Sequence, residues 1–340
     1  MEIERSPAAA RRRCALARDA GAKIGFVPTM GALHAGHLSL VRTSVAENDF
    51  TVVSVFVNPL QFDDPADLDR YPRDFAGDGQ LLERSGADLV FTGTLAEFFP
   101  GELDAGGELE AVHLEDPGAA AQGLEGDCRS GHFAGVATIV RRLFEVVQPQ
   151  TAYFGQKDFQ QSLVVRDLAR RLGGPRIRVC PIHREMHGLA RSSRNELLGE
   201  QARSEAAGLA RALASVDAAW RGGERRASAL TELLHGKLAE VSCIEELEYA
   251  ELRDPDGWRA QAPTGELTGR AVALVAARVD GVRLIDNWLL GEDAAVQLAD
   301  ETGGADETGG ADETGGADEA GGAGAPGPAN SDSAVDASRS

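Results

Sequence analysis

Residues 50–57, Phe50-Thr51-Val52-Val53-Ser54-Val55-Phe56-Val57, restrict the fold of this chain more than any other stretch. The run is β-branched and aromatic, carries no charge and lacks regular alternation. That describes a strand buried on both faces, as in a parallel sheet. Parallel neighbours need a crossover, and the preceding sequence supplies one. Residues 23–27 (Lys23-Ile24-Gly25-Phe26-Val27) read as a short strand. Pro28-Thr29-Met30-Gly31-Ala32-Leu33-His34-Ala35-Gly36-His37 then turns into a helix to about residue 47, with Leu38, Leu40, Val41 and Val45 at helical spacing. Strand, helix and strand within about 35 residues form a βαβ unit, whose ligands sit at the carboxyl ends of the strands.

The alternation continues. Strands are expected at 87–91, 152–154 and 177–182, and helices at 11–20, 80–85 and 131–147 and along Leu163, Val164, Leu168 and Leu172. This is the pattern of a Rossmann-like, doubly wound parallel α/β domain. Residues 67–74, with Tyr71-Pro72-Arg73, read as a polar loop, and the Gly- and acid-rich segment 102–123 as an exposed hairpin or lid. Beyond about residue 184 the pattern changes to helices over 201–220 and 227–240 and strands over 247–252, 272–279 and 282–285. Asp280-Gly281 between the last two is a type I′ hairpin signal. The expected organisation is a first domain over 1–183, a smaller α+β lid domain over 184–296 hinged near 185–194, and an acidic tail over 297–340. In the tail, Ala-Asp-Glu-Thr-Gly-Gly repeats with almost no apolar side chains, so it is expected to be disordered.

Composition narrows the function. The 340 residues are 43% hydrophobic, and no apolar run approaches the ~20 residues of a membrane span. The charged start, Met1-Glu2-Ile3-Glu4-Arg5, has no signal-peptide core, so a cytoplasmic protein without a membrane partner is expected. Cys14, Cys128, Cys180 and Cys243 are far apart with no C-x-x-C, which fits reduced thiols. Of the net charge of −20, the ten acidic residues and one arginine from residue 299 onward hold −9. The remaining −11 makes the body a poor partner for nucleic acid. A nucleotide handled here would be a small one in a local basic pocket.

Such a pocket is written into the motifs. His34 and His37 share a face at a helix start, where free N–H groups and the dipole already favour anions. Two imidazoles there could stabilise a phosphate during transfer; alone, they could equally be surface histidines near a cap. Gly36 between them would leave room for a ligand at the backbone. Asn58-Pro59-Leu60-Gln61-Phe62 closes the next strand on the same rim. Gly155-Gln156-Lys157-Asp158 closes another: Lys157 can neutralise a phosphate, and Asp158 can hold a ribose hydroxyl or a water on Mg²⁺. Gly188-Leu189-Ala190-Arg191-Ser192-Ser193-Arg194-Asn195 offers two hydroxyls and two guanidiniums able to clamp a triphosphate, although Ser192-Ser193 could instead cap a helix. No protein-held metal site is expected: H-E-x-x-H is absent, and His183 and His187 read as loop variants.

Together these segments resemble the pantothenate synthetase (pantoate–β-alanine ligase) family, nucleotidyltransferases with a HIGH-type motif. The resemblance runs through residues 28–37, Phe-Val-Asn-Pro-x-Gln-Phe at 56–62, Tyr-Pro-Arg at 71–73 and Arg-Ser-Gly-His-Phe-x-Gly-Val at 129–136. It continues through Phe-Gly-x-Lys-Asp-x-Gln-Gln at 154–161 and Ser-Ser-Arg-Asn at 192–195. It implies ATP-dependent condensation of pantoate with β-alanine through a pantoyl adenylate, releasing AMP and pyrophosphate, with Mg²⁺, in a homodimer. It further implies that His37, His34 and Lys157 act in catalysis, His37 being the acid candidate. ATP would lie against Met30, His34, His37, Gly155, Lys157, Asp158, His183, Arg191, Ser192, Ser193 and Arg194. Pantoate would be held by Gln61 and Gln161, and β-alanine by Gln61, Asn58 and Tyr71. The chain departs from the family at Ile182-His183, His187 and Arg191, where His183 and Arg191 would meet the nucleotide. Two other readings stay open: a nucleotidyltransferase that leaves the adenylyl group on its product, and a non-catalytic nucleotide-binding regulator.

Overall fold

The computed structural model describes residues 1–63, 65–107, 109 and 114–292. The acidic tail expected over 297–340 lies outside the described residues. The chain runs β1 (Glu2–Glu4), α1 (Pro7–Asp19), β2 (Ile24–Thr29), α2 (Ala35–Glu47), β3 (Phe50–Val55), α3 (Pro65–Arg70), α4 (Phe75–Arg84), β4 (Leu89–Phe91), α5 (Leu95–Phe98), α6 (Glu125–Cys128), α7 (His132–Val147), β5 (Thr151–Gly155), α8 (Phe159–Leu172) and β6 (Arg176–Cys180). It continues with α9 (Glu200–Glu205), α10 (Gly208–Arg221), α11 (Ala227–Ala239), β7 (Ile244–Arg253), β8 (Val272–Val279) and β9 (Val282–Leu289).

The first six strands form one parallel sheet in the order β1-β4-β3-β2-β5-β6. Alternate side chains feed two cores. Ile24, Phe26, Val52, Leu89 and Phe91 pack with Ala10 and Cys14 of α1, Val140 and Leu143 of α7 and Val164 and Leu168 of α8. On the other face Val27, Val53, Val55 and Val90 pack with Leu40 and Val41 of α2 and Leu82 of α4. Helices on both faces make this the doubly wound sheet expected. Because β2 pairs with β3 on one side and β5 on the other, the strand order reverses there. That reversal opens a crevice beyond the ends of β2 and β5.

The last three strands form an antiparallel sheet, β7-β8-β9. One face is covered by α10 and α11 through Leu209, Leu213, Leu230 and Leu234. On the other face Tyr249, Leu274 and Leu289 meet Leu124 and Phe159. Asp280 and Gly281 both have positive φ (51° and 70°), as a type I′ turn requires.

Several expectations need correction. β1 was not expected; it is a three-residue edge strand with no periodic signal, defined by parallel pairing with β4. Residues 65–70, largely within the expected loop 67–74, form a helix that begins at proline, with Asp67 in its first turn and Arg70 in its last, as the helix dipole favours. The helix expected at 80–85 starts earlier because the Asp74 carboxylate accepts from the Gly77 N–H at 2.9 Å. The helix expected over 201–220 breaks at Ala206-Ala207, with Val241 packed against the backbone at Gly208. Of segment 102–123, the described part shows one antiparallel bridge, Leu103–Leu109, and a helical turn at Ala119–Ala121. The Gln160 carboxamide ties the end of that segment down by donating to the carbonyls of Ala120, Gln122 and Gly123.

Candidate active site

A cleft of about 1480 Å³ opens at the crevice beyond β2 and β5. Sites for one small ligand span about 300–1,000 Å³, so this one has room for a nucleotide beside a second substrate. Every residue given a catalytic or substrate-binding role from the sequence lines it: Met30, His34, His37, Asn58, Gln61, Tyr71, Gly155, Lys157, Asp158, Gln161, His183, Arg191, Ser192, Ser193 and Arg194. Helices α2, α7 and α8 all begin here, at His34, Gly131 and Asp158, and none carries a side-chain cap bond. Their first-turn N–H groups and positive dipole ends make this rim a place for anions.

The turn after β2 is held from outside. Asp78 of α4 accepts from the N–H groups of Ala32 (3.0 Å) and Leu33 (2.8 Å). That grip maintains Ala32 in the left-handed region at φ 50°, which a residue bearing Cβ rarely adopts. Burial raises the Asp78 pKa, although the two N–H bonds oppose the shift. Nothing in the sequence pointed to Asp78, since its partners lie 45 and 46 positions away.

Past that turn, the rings of His34 and His37 stack with centroids 4.1 Å apart. Gly36 lines the cleft, with the His34 ring beside it: a Cβ there would lie 3.0 Å from His34 Cε1. Burial, reinforced by His37, Lys157, Arg191 and His183, pulls the His34 pKa down to about 2. Burial also lowers His37 to about 4, with Asp158 opposing and Lys157 assisting. Both imidazoles are therefore neutral near pH 7 and keep one N–H donor each. Their Nδ1 atoms are buried without a hydrogen-bond partner among the described residues. Such atoms cost about 1–3 kcal/mol each and concentrate at functional sites.

Across the cleft, Lys157 Nζ lies 3.3 Å from Asp158 Oδ1. Burial works to raise the Asp158 pKa, but Lys157, His37 and Arg194 outweigh it and keep the carboxylate ionised. The ion pair fixes where the Lys157 ammonium sits in the cleft.

Gln61 is a supported residue. Its Oε1 accepts from Asn58 Nδ2 at 3.0 Å, which leaves the Gln61 carboxamide N–H₂ to face the cleft. Asn58 also donates to Gly135 O and accepts from Leu60 N, so its polar atoms serve the turn at 59–61. The Gln61 carbonyl accepts from His132 Nδ1 (2.8 Å) and Arg129 Nη2 (3.2 Å). His132 Nε2 in turn faces Arg129 Nη1 at 3.3 Å. Burial, then Arg129, hold His132 down at about 4, so it is neutral. Both residues stand in the 129–136 motif, but sequence alone gave them no role.

The loop at 184–195 is more committed than expected. Ser192 Oγ caps the helical turn Ser193–Leu197 by accepting from Arg194 N, and Ser193 bonds Tyr71. Arg194 pairs with Asp67 at 2.9 Å. Arg191, one of the departures, pairs with Glu185 (2.9 Å) and Glu196 (3.0 Å), so acidic residues answer its added charge. Burial would raise Glu185, but hydrogen bonds from Arg203, Asn195 and Arg191 carry it down to about 2. His183 lies beside Gly36, and His187 Nε2 stands 3.4 Å from Glu185.

Among the described residues no group of three or more His, Cys, Asp or Glu is placed to hold a metal ion, and no helix is long and apolar enough to cross a membrane.

Comparison with known proteins gives the family. A sequence model described as pantoate-beta-alanine ligase matches residues 2–289. The pantothenate synthetase of Roseiflexus castenholzii is 44% identical over 268 residues, covering 78% of this chain and 92% of that protein. The crystal structure of pantothenate synthetase from Thermus thermophilus superposes with a TM-score of 0.75 at 40% identity, covering 85% of this chain and 99% of that one. The Francisella tularensis pantoate-beta-alanine ligase, solved in complex with beta-gamma ATP and beta-alanine, gives a TM-score of 0.65 at 31% identity over 85% of this chain and 97% of that one. On sequence, fold and coverage alike, this chain is an enzyme of the pantoate–β-alanine ligase family.

Proposed function

We propose that the chain condenses pantoate with β-alanine at the expense of ATP, in two steps at one site. The carboxylate of pantoate attacks the α-phosphorus of ATP, forming the pantoyl adenylate and expelling pyrophosphate. The amine of β-alanine then attacks the acyl carbon, forming the amide and releasing AMP. The supporting observation is the meeting, at the strand-order reversal, of two neutral imidazoles, Lys157 and three open helix N-termini. Neither step needs a protein nucleophile, so catalysis rests on positioning and on stabilising charge. His34 and His37 donate to phosphate oxygens as neutral groups, and Lys157 offsets the charge growing on the leaving pyrophosphate. Gln61 and Gln161 orient pantoate through neutral amides that leave its carboxylate nucleophilic. Where Mg²⁺ accompanies the triphosphate, it would screen the phosphate charge, and Asp158 is a carboxylate that would hold a water of its shell. The segment 184–296 acts as a lid over 1–183, excluding water from an intermediate that hydrolyses when free.

ATP–pyrophosphate exchange tests this. Exchange is expected with pantoate alone, and AMP and the amide only once β-alanine is added. Exchange that requires β-alanine would remove the separate adenylate. A stable adenylylated product would assign the chain to simple nucleotidyl transfer.

A further inference from the structure

The two steps place a demand on Lys157 that its own turn does not meet. β5 ends at Gly155 and α8 begins at Phe159, so Lys157 sits in a three-residue connection. A buried side chain from the far end of the chain grips that connection. Asn287, on β9 and 1% exposed, donates from Nδ2 to the carbonyls of Gln156 (2.9 Å) and Lys157 (3.0 Å). Its Oδ1 accepts from Gln156 Nε2 at 3.2 Å. A carboxamide has two donors and an acceptor on one rigid plane, and here all three sides are engaged. These bonds fix the peptide planes on either side of the Lys157 Cα, and hence the direction in which the lysine leaves the backbone.

Asn287 is itself locked in place. Its N–H donates to Asp286 Oδ1 at 2.7 Å, and its carbonyl accepts from Arg184 Nη2 at 3.3 Å. Arg184 and Asp286 form a buried two-point ion pair at 2.6 and 3.0 Å, and Arg184 also donates to Gly188 O. The Asp286-Asn287 dipeptide thus holds both the Lys157 turn and the base of the 184–195 loop.

We infer that Asn287 is a positioning residue for the charge-stabilising lysine, setting the lysine's location through the carbonyls of Gln156 and Lys157. This rests on the role given to Lys157 above. A displacement of about 1 Å at such a group can cost on the order of 100-fold in rate, so the support is felt in turnover rather than in substrate affinity.

The test combines a double-mutant cycle with a direct view of the lysine. The chain has three lysines, Lys23, Lys157 and Lys237, so reductive ¹³C-methylation gives three lysine signals beside that of the N-terminal amine. Asn287→Ala is expected to shift the Lys157 signal and leave the others in place. It should lower kcat for exchange about 10- to 100-fold with the KM for pantoate within about twofold. Added to Lys157→Ala, it should change the residual rate by no more than about twofold, because residues acting as a unit are not additive. An unmoved Lys157 signal, or an equal loss in both backgrounds, overturns the inference. If Asn287→Ala does not fold, Asn287→Ser, whose hydroxyl can serve one carbonyl, is subject to the same criteria. If the wild-type protein shows no exchange, the proposed function falls while the Lys157 signal still decides this inference.

Discussion

Neutral histidines at the heart of an anion site link acidity to folding. His34, His37 and His132 have folded-state pKa values of about 2, 4 and 4, against an ordinary 6.5. As pH falls below 6.5 the unfolded chain takes up protons that the folded chain refuses. Stability is therefore complete above 6.5 and declines as pH falls toward 4. Each histidine contributes at most about 1.4 kcal/mol per pH unit across that window. The melting temperature should fall from pH 6.5 to 4, and His37→Gln, which cannot titrate, should flatten the decline. An equal decline in that variant would mean His37 protonates freely in the fold. The strongly depressed carboxylates Glu185 and Glu224, each at about 2 against an ordinary 4.5, lose their contribution between about 4.5 and 2, so the comparison is read above pH 5, where only the histidines titrate.

At the level of elements, the substrate rim depends on how closely α7 approaches the 59–61 turn. Gly135 allows it: a Cβ there would lie 1.9 Å from Leu60 O and 2.8 Å from Gln61 N. Gly135→Ala must push helix and turn apart, at a cost of about 1–3 kcal/mol for overpacking. His132, at the head of the same helix, holds the Gln61 carbonyl, so the shift should also reach the Gln61 amide proposed above to orient pantoate. A lower melting temperature together with a KM for pantoate raised more than that for ATP is expected. Equal rises would show the displacement is not local. The helix and its partner strand were both readable in advance. A long apolar face announces α7, and the unbroken run at 50–57 announces β3, although the strand ends at Val55, with Phe56 N–H making one further bond to Thr29 O. The Asp280-Gly281 turn was equally plain, because positive φ at both positions is a local demand. What stayed hidden depends on distant partners. β1 exists only through β4, and the break before Gly208 sits where Val241 packs. In the site, the HIGH-type turn was legible as chemistry, whereas Asp78 and Asn287, which hold its parts in place, act across 46 and 131 positions.

For the molecule as a whole, the fold is closed before the acidic repeat begins. β9 ends at Leu289, where the family match also ends. The next residues are already tied back: Leu290 N–H donates to Ala271 O at 2.9 Å and Gly291 N–H to Asp217 Oδ1 at 2.6 Å. Glu292 receives Arg270 through its carboxylate and Arg221 through its carbonyl. On the opposite side of the small sheet, Arg283 grips Glu125 at 2.6 and 2.9 Å, and Tyr249 donates to the same carboxylate at 2.7 Å, joining β9 and β7 to α6. None of these bonds calls on residues 299–340. Removing that stretch changes the net charge from −20 to −11 and so reduces self-repulsion. Deletion of 299–340 should leave exchange activity unchanged and move the melting temperature by no more than about 2 °C. Any gain should be confined to low ionic strength, where charges on one molecule repel over about 30 Å at 0.01 M salt. A loss of several degrees that persists at 0.5 M salt would mean the repeat packs against the body.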